Sequence, residues 1–210
     1  MTAIVWDRLE DRRFETGIER GVIYPVGGSA EAWNGLTSVV ESPGREAKVY
    51  YQDGAKALIR LVAPGYKAKI TAFTYPDILD ELQGNQRMTA GVHLYDQQEG
   101  QFHLSYRTRV GNAVEDVDYG YKLHLIYDLT INPSDQTFST IADQLAAASF
   151  DWNVEGTQRL WNTKLVNHIS INSHEADPAT LASIENQLYG TSGTDPVMPD
   201  IIDLLNSFSG

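Results

Sequence analysis

Hydrophobic and polar positions alternate with a period of two along residues 119–131, YGYKLHLIYDLTI. Aromatic or aliphatic side chains occupy every odd-numbered position of this stretch. Such alternation is typical of a β-strand with one face in a hydrophobic core. At about 3.3 Å per residue the stretch would span roughly 43 Å, whereas strands in compact domains usually have about five or six residues. The sequence therefore predicts a strand that is longer than the core of one small domain requires.

Turn-forming residues separate further β-like segments in the first two thirds of the chain. Gly27-Gly28, Ser42-Pro43-Gly44 and Asp53-Gly54 favour the backbone angles of tight reversals. The stretch VYYQDGAKAL predicts a hairpin that reverses at Asp53-Gly54. This succession of strands and turns indicates an antiparallel β-domain rather than βαβ units. The predicted strands include residues 21–25, 35–41, 47–51, 56–62, 66–75, 150–154 and 164–171.

The long strand is predicted to belong to a second hairpin. Residues 100–110 form its first strand and residues 118–131 its second. The connection GNAVEDV (111–117) predicts an acidic loop with Glu115 and Asp116, and Asp118 at its junction with the second strand adds a third acidic residue.

Helices are predicted at three places. The segment DPATLASIENQLYG offers Asp177 as N-cap, proline at the first helical position and Gly190 at the end. Its apolar face consists of Leu181, Ile184 and Leu188. A shorter helix is predicted to start at Pro76 and to end at Gly84, and an amphipathic one over residues 201–208. The alanine-rich segment 137–148 fits a helix locally although strands surround it.

Composition narrows the class of protein. A chain of 210 residues that is 42% hydrophobic can bury one core, so we expect a single domain over residues 1–210. The net charge of −12 argues against binding to phosphate backbones. The absence of cysteine excludes disulfides, thiol nucleophiles and thiolate metal sites. Neither a membrane-spanning apolar run nor a secretory signal is readable.

The sequence gives only weak indications of a metal-binding or catalytic site. His103 and His124 lie on the two long predicted strands, and Asp116 and Asp118 could add carboxylate ligands for a metal ion. The spacing matches no zinc motif, and histidines on neighbouring strands are usually plain surface or groove residues. The serines lack a G-x-S-x-G setting, and VGGSAEAWNG lacks the lysine of a P-loop. We therefore expect no catalytic residue, no cofactor and no metal ion.

Eleven tyrosines and four tryptophans leave one alternative function open. On the surface of a β-rich domain such rings could stack on sugars and form a carbohydrate-binding, lectin-like module. In a core they would pack across the sheet instead. The core interpretation applies to the alternating Tyr106, Tyr119, Tyr121 and Tyr127 and to Trp33 and Trp152.

Eight stretches, spread over nearly the whole chain, occur in the same order as similar stretches in a known protein family. They are ERGVIYP (19–25), AWNGLTSVVE (32–41), YYQDGAK (50–56), AFTYPD (72–77), LSYRTRVGN (104–112), DYGYKLHLIYDLTINPSD (118–135), FDWNV (150–154) and DPATLASIENQLYGT (177–191). In this order the chain resembles the major tail tube proteins of long-tailed bacteriophages, particularly those of phages that infect actinobacteria.

The resemblance implies a mainly β fold with flanking α-helices, an antiparallel β-sandwich or barrel-like core. It also implies that six subunits close into a ring and that rings stack into the hollow tail through which DNA leaves the capsid. The implied partners are further copies of the chain, the tape-measure protein, the tail terminator and the distal tail or tip proteins. The implied location is the virion, after assembly in the host cytoplasm, with no catalytic residue carried over.

Long strands then have a physical reason, because edges that would be exposed in a monomer can pair within a ring. We expect Leu123, Leu125 and Tyr127 to face the core and the alternate side chains of Lys122, His124 and Asp128 to face the channel. Ring stacking is assigned to the hairpin with Tyr50, Tyr51, Asp53 and Gly54, or to the acidic loop with Glu115, Asp116 and Asp118. Residues 192–210 are expected to form a C-terminal arm that clasps a neighbour.

Overall fold

The computed structural model describes residues 6, 9, 12–42, 46–52, 55–62, 65–132 and 149–208, and at 46–52 and 55–62 it describes the backbone alone. Asp53, Gly54 and the segment 137–148 lie outside the described residues. The strands are β1 (Arg13–Pro25), β2 (Glu31–Trp33), β3 (Leu36–Ser42), β4 (Glu46–Gln52), β5 (Ala55–Val62), β6 (Tyr66–Ala72), β7 (Gln86–Thr89), β8 (Val92–Leu94), β9 (Gln101–Asn112), β10 (Asp116–Asn132), β11 (Phe150–Gly156), β12 (Arg159–Trp161), β13 (Lys164–Val166) and β14 (His168–Asn172). The helices are α1 (Ile78–Leu82), α2 (Pro178–Tyr189) and α3 (Ile201–Ser207).

Most strands belong to one antiparallel sheet with the order β2-β1-β9-β10-β11-β6-β3. Strand β10 changes partner along one edge, since β14 pairs with residues 122–126 and β11 with residues 129–132. Among the described residues the end strands β2 and β3 do not pair with each other, so the sheet is not a closed barrel. The predicted mainly β, antiparallel fold with short helices is confirmed.

The sheet curls strongly enough for distant strands to share one core. Trp33 of β2 and Trp152 of β11 are four steps apart in the strand order, which is about 19 Å in a flat sheet. Their ring centroids nevertheless lie 5.4 Å apart in an edge-to-face arrangement. Both side chains are buried, as the sequence predicts. The curl therefore makes a sandwich-like interior from a single sheet.

Two hydrophobic cores lie on the two faces of β10. The first core lies inside the curl and includes Ile23, Trp33, Ile70, Phe102, Leu104 and Trp152. The second core lies between the sheet and helices α2 and α3, and includes Tyr24, Ile171, Leu188 and Ile201. Since a fully buried Leu or Ile contributes about 1.5–3 kcal/mol, both faces of β10 stabilise the fold.

A β-bulge reverses the alternation within β10. Its register against β9 shifts between Ile126 and Leu129, and Asp128 within this interval has φ +54°. A bulge inserts an extra residue and so exchanges the faces of the residues that follow. Before the bulge Leu123, Leu125 and Tyr127 face the second core, as expected for core residues. After it Leu129 and Ile131 face the first core, so the odd positions do not share one face.

Helix α2 has the ends and the buried face that the sequence predicts. The Asp177 carboxylate accepts a hydrogen bond from the Thr180 N–H at 2.8 Å, and Gly190 follows the last turn with φ +73°. The predicted apolar face is buried in the second core. Helix α1 starts at Ile78 rather than at Pro76 and buries Leu79.

The C-terminal segment packs on its own subunit. Asp200 caps α3 by accepting a hydrogen bond from the Ile202 N–H at 2.8 Å. Met198, Ile201 and Leu204 are buried in the second core. The buried face of α3 is therefore used within the subunit, and the expectation that residues 192–210 clasp a neighbour stays a prediction.

Both predicted hairpins are present. Strands β4 and β5 form a two-stranded sheet of their own, in which Gln52 pairs with Ala55. Strands β9 and β10 form the long hairpin, but its connection is shorter than predicted. Asp116 and Asp118 belong to β10 instead of the loop, because β10 already pairs with Asn112 of β9 at Asp116.

The predicted strand over residues 164–171 divides at Asn167. The part before it, β13, pairs with β12, and the part after it, β14, pairs with β10. The Asn167 carbonyl oxygen accepts a hydrogen bond from the Tyr127 N–H at 2.8 Å. The chain therefore changes partner strands at this residue, which places His168 beside β10.

Candidate functional site

The residues predicted to face a channel do not share an open face of the subunit. His124 is 8% exposed and Asp128 is 9% exposed. Lys122 is half-buried, with its Nζ 2.5 Å from Glu15 Oε2. The cause is that both faces of central β10 are covered, one by the curled sheet and one by the helices. The expectation that alternate side chains of β10 point into an open channel is therefore wrong for His124 and Asp128.

His124 belongs instead to the histidine cluster, which we define as Glu41, His124 and His168. These residues come from β3, β10 and β14, and each brings one potential ligand atom within 4.8 Å of the other two. His124 Nδ1 lies 3.1 Å from His168 Nε2, and His168 Nδ1 lies 3.5 Å from Glu41 Oε1. Strands distant in the sequence meet here because the curl brings β3 over β10.

Two buried tyrosines hold the carboxylate of the cluster. The hydroxyl groups of Tyr66 and Tyr106 donate hydrogen bonds to Glu41 Oε1 at 3.1 and 2.9 Å. The Tyr106 ring also stacks on His124, with ring centroids 4.6 Å apart. Burial, reinforced by the Glu41 charge, raises the pKa of both hydroxyl groups. They therefore stay protonated and act as donors at neutral pH.

A second carboxylate, Glu15 of β1, determines the tautomer of His124. The Thr108 hydroxyl donates its single hydrogen to Glu15, and Thr108 Oγ1 lies 3.1 Å from His124 Nε2. Oγ1 must therefore accept a hydrogen bond from the His124 Nε2–H. Burial opposes ionisation of Glu15, but the hydrogen bonds from Lys122 and Thr108 lower its pKa overall. His124 Nδ1 is consequently left with a lone pair that points at His168.

Both imidazoles of the cluster are neutral at pH 7. Burial, followed by repulsion from His168, lowers the pKa of His124 to about 4. Burial also lowers the pKa of His168, although the Glu41 charge opposes this shift. Neutral imidazole is the form that can bind a metal ion.

Asp128 belongs to a second group, the Asp128 cluster, which we define as His103, Asp128 and Arg159. Arg159 donates from Nε to Asp128 Oδ2 at 2.5 Å and from Nη2 to Oδ1 at 2.7 Å. His103 Nδ1 accepts a hydrogen bond from the Asp128 N–H at 2.9 Å. This fork between guanidinium and carboxylate satisfies both charges within the subunit.

The residues predicted for ring stacking lie at two separate places. Tyr50 and Tyr51 belong to β4, in the two-stranded sheet. Glu115, Asp116 and Asp118 are exposed where the long hairpin reverses.

The metal ligands weighed from the sequence do not meet. His103 lies in the Asp128 cluster and His124 in the histidine cluster, while Asp116 and Asp118 lie at the end of the long hairpin. Sequence reasoning missed Glu41 and His168 as partners of His124. Their only local signal is a polar side chain within an apolar strand pattern, and that signal does not say which strands will meet.

Several of the tyrosine and tryptophan side chains that could form a sugar-binding face are inside the protein. Trp33, Trp152, Tyr106 and Tyr127 are buried, whereas Tyr119 and Tyr121 are partly exposed. Trp6 and Tyr95 are the most exposed of the described aromatic residues, at 78% and 64%. The core interpretation therefore applies to four of the six aromatic residues for which the sequence suggested it, and the carbohydrate-binding alternative stays a prediction.

None of the helices in the described ranges is long and apolar enough to cross a membrane. A scan against protein-family models gives no match for this chain, and no curated protein sequence matches it.

Proposed function

We propose that the protein is the tail tube subunit of a long-tailed bacteriophage. In this proposal six subunits close into a ring, and stacked rings form the hollow tube that delivers DNA. Its partners are its own copies, the tape-measure protein, the tail terminator and the distal tail or tip proteins. The protein is a structural component of the virion, assembled in the host cytoplasm, and not an enzyme.

The observation that carries the proposal is a two-stranded sheet that stands outside the main sheet. Strands β4 and β5 have seven and eight residues and pair with each other but with no other strand that the structure describes. At about 3.3 Å per residue such a ribbon reaches roughly 25 Å. An isolated two-stranded ribbon is only marginally stable in water. A contact with the next ring would stabilise such a ribbon, which supports its assignment to ring stacking.

Two further features support the proposal. Strands β2 and β3 end the sheet order, so each has one edge without a described partner strand, and edges of this kind can pair between subunits in a ring. The net charge of −12 suits a tube whose wall must not retain DNA, because repulsion removes the attraction from counterion release.

The channel wall needs a different location from the centre of β10. Glu15 and Thr16 of β1, Arg109 of β9 and Asp118 of β10 are exposed on adjacent strands. Arg109 is paired with Glu19 at 2.8 Å and Glu15 with Lys122 at 2.5 Å, so both signs of charge occur on these strands. We place the wall on this part of the three strands, with Lys122 at its boundary.

The first experiment is negative-stain electron microscopy of the purified, concentrated protein. Hollow rings or stacked tubes are the expected result. Dispersed particles at every concentration and salt condition would contradict self-assembly by this chain alone. In that case a glycan array tests the carbohydrate-binding alternative directly.

Deletion of the β4–β5 ribbon tests the stacking contact. Glu46 pairs with Val62 at the base of the ribbon, so residues 47–61 can be replaced by a short Gly-Ser link. We expect a folded subunit by circular dichroism that no longer forms tubes. The matched control removes residues 87–93 of the exposed β7–β8 hairpin, whose base pair is Gln86 with Leu94. Tubes from the first variant, or loss of tubes in both, would reject the assignment.

A further inference from the structure

The histidine cluster brings two imidazole nitrogens face to face beside a carboxylate. His124 donates an N–H to Thr108, so its Nδ1 carries a lone pair. His168 faces an acceptor on each side of its ring. Its Nε2 lies 3.1 Å from His124 Nδ1, and its Nδ1 lies 3.5 Å from Glu41 Oε1.

In either neutral tautomer of His168, one of these two contacts has no hydrogen between its atoms. With the hydrogen on Nε2, the lone pair of Nδ1 faces the Glu41 carboxylate. With the hydrogen on Nδ1, two imidazole lone pairs face each other at 3.1 Å. One ion can use only one nitrogen of His168. A cation bound by His124 Nδ1 and His168 Nε2 would convert these two opposed lone pairs into bonds, with Glu41 as a third ligand.

We propose that Glu41, His124 and His168 bind a divalent transition-metal ion of the Zn²⁺ type. Two imidazole nitrogens and one carboxylate oxygen are a donor set that zinc accepts, with a fourth position left for water. This site is independent of the tail tube proposal, because it rests on contacts within one subunit.

The distances fit with small side-chain movements. The potential ligand atoms lie within 4.8 Å of one another. Bonds of about 2.0–2.2 Å in a tetrahedral zinc site place ligand atoms roughly 3.3–3.6 Å apart. The separation of 3.1 Å between the two imidazoles is already close to this value. Glu41 is the residue that must move, and its side chain is 38% exposed.

The surroundings of the cluster resemble a supporting shell for a metal site. Thr108 and Glu15 hold the far nitrogen of His124, which orients the imidazole and leaves Nδ1 for the ion. Tyr66 and Tyr106 both donate to Oε1 of Glu41 and position its carboxylate. The exposed part of Glu41 gives an ion a route from solvent. The bound ion would tie β3 to β10 and β14 across the curl of the sheet.

Cobalt titration of the full-length, tag-free chain tests the site. Protein is stripped with a chelator, dialysed and titrated with CoCl₂ while visible absorption is recorded. We expect ligand-field bands that saturate at one Co²⁺ per chain and that disappear when Zn²⁺ is added. We also expect Zn²⁺ to raise the melting temperature. No saturable absorption and no Zn²⁺-dependent stabilisation up to millimolar metal would overturn the proposal.

Co²⁺ binding by substituted proteins tests which residues bind the ion. Glu41→Gln keeps an oxygen for the two tyrosine hydroxyls, so it preserves the fold while it weakens Co²⁺ binding by at least about tenfold. His168→Gln should weaken it as well. The matched control is His93→Gln, which removes an exposed imidazole on β8 and should leave stoichiometry and affinity unchanged. Equal binding by Glu41→Gln and wild type, or loss only in His93→Gln, would reject this site.

A proton is the competing cation, and nitrogen-15 NMR of the metal-free protein separates the two. The proposal expects His168 to be neutral at pH 7 and its resonances to shift when Zn²⁺ is added. An imidazolium at His168 that Zn²⁺ does not displace would show that the cluster holds a proton, and the metal proposal would fail.

Discussion

The two polar clusters beside β10 are similarly enclosed but differ in how their charges are balanced. In the Asp128 cluster, Arg159 offers two N–H groups to the two oxygens of Asp128. In the histidine cluster, no guanidinium of the described residues forms such a fork, and the imidazole nitrogens of His124 and His168 face each other beside the Glu41 carboxylate. Burial alone therefore does not distinguish a structural ion pair from a binding site. The balance of donors and acceptors makes the distinction.

The two cores beside these clusters also differ, in the elements that enclose them. The histidine cluster contacts Tyr106 of the first core, which the curled sheet and helix α1 enclose. The Asp128 cluster contacts Tyr127 of the second core through His103, and helices α2 and α3 cover that core.

Alanine substitution of two adjacent residues on β10 tests whether both cores stabilise the fold. Leu125 faces the second core and Ile126 the first, and both are fully buried. We expect Leu125→Ala and Ile126→Ala each to lower the free energy of unfolding by about 2–5 kcal/mol, because each leaves a cavity. Guanidinium unfolding measures both. The control Val40→Ala removes a side chain that is 56% exposed and should change stability by less than about 0.5 kcal/mol. A small loss in one core variant alone would show that the two cores are unequal.

Removal of the guanidinium tests the internal balance of the Asp128 cluster. Arg159→Gln should leave the Asp128 carboxylate enclosed without its charged partner. We expect a loss of about 2 kcal/mol, below the usual range for buried pairs because the Arg159 side chain is 38% exposed. Arg13→Gln is the control, since Arg13 pairs with Glu175 on the surface and should cost less than about 0.5 kcal/mol. Equal losses in the two variants would mean that the fork is no stronger than a surface pair.

Acid titration gives the smallest expected effect. Burial lowers the pKa of His103, with Arg159 acting in the same direction and Asp128 opposing it. The unfolded chain then binds more protons than the folded one below the ordinary histidine pKa of about 6.5. The contribution of His103 to stability is therefore complete above that pH and falls as the solution becomes more acidic.

His103→Asn isolates this contribution. The asparagine oxygen can replace Nδ1 as acceptor for the Asp128 N–H but cannot be protonated. We expect the stability difference between pH 7 and pH 5 to become smaller in the variant, as measured by urea unfolding at both values. The remaining histidines are unchanged, so the difference between the two proteins reports His103. An unchanged pH dependence would contradict the assignment.

Local patterns predict much of the fold. The cap at Asp177, the glycine at Gly190 and the apolar face between them define α2, and the structure confirms all three. The alternation of β10 and its hairpin with β9 were also predictable, as was the β4–β5 hairpin. Each of these features is set by residues close in sequence, whose backbone preferences and side-chain spacing act without the rest of the chain.

The candidate site was not predictable in the same way. Alternation shows that His124 lies opposite Leu125 on the strand, but not that a curled sheet covers that side as well. The bulge between Ile126 and Leu129 exchanges the sheet face on which the later residues of β10 lie. The local sequence pattern does not predict this bulge. The contact of Glu41 with His168 depends on β3 and β14 approaching β10 from different places in the chain.

The sequence by itself determined a mainly β chain, its principal hairpins, the limits of α2 and a strongly acidic charge. Only the tertiary structure decided that both faces of β10 are buried, that α3 packs on its own subunit and that Glu41, His124 and His168 meet. The physical reason is the range of the interactions. Backbone propensity and periodicity act over a few residues, whereas curl, bulges and buried polar contacts follow from the packing of strands that are distant in sequence.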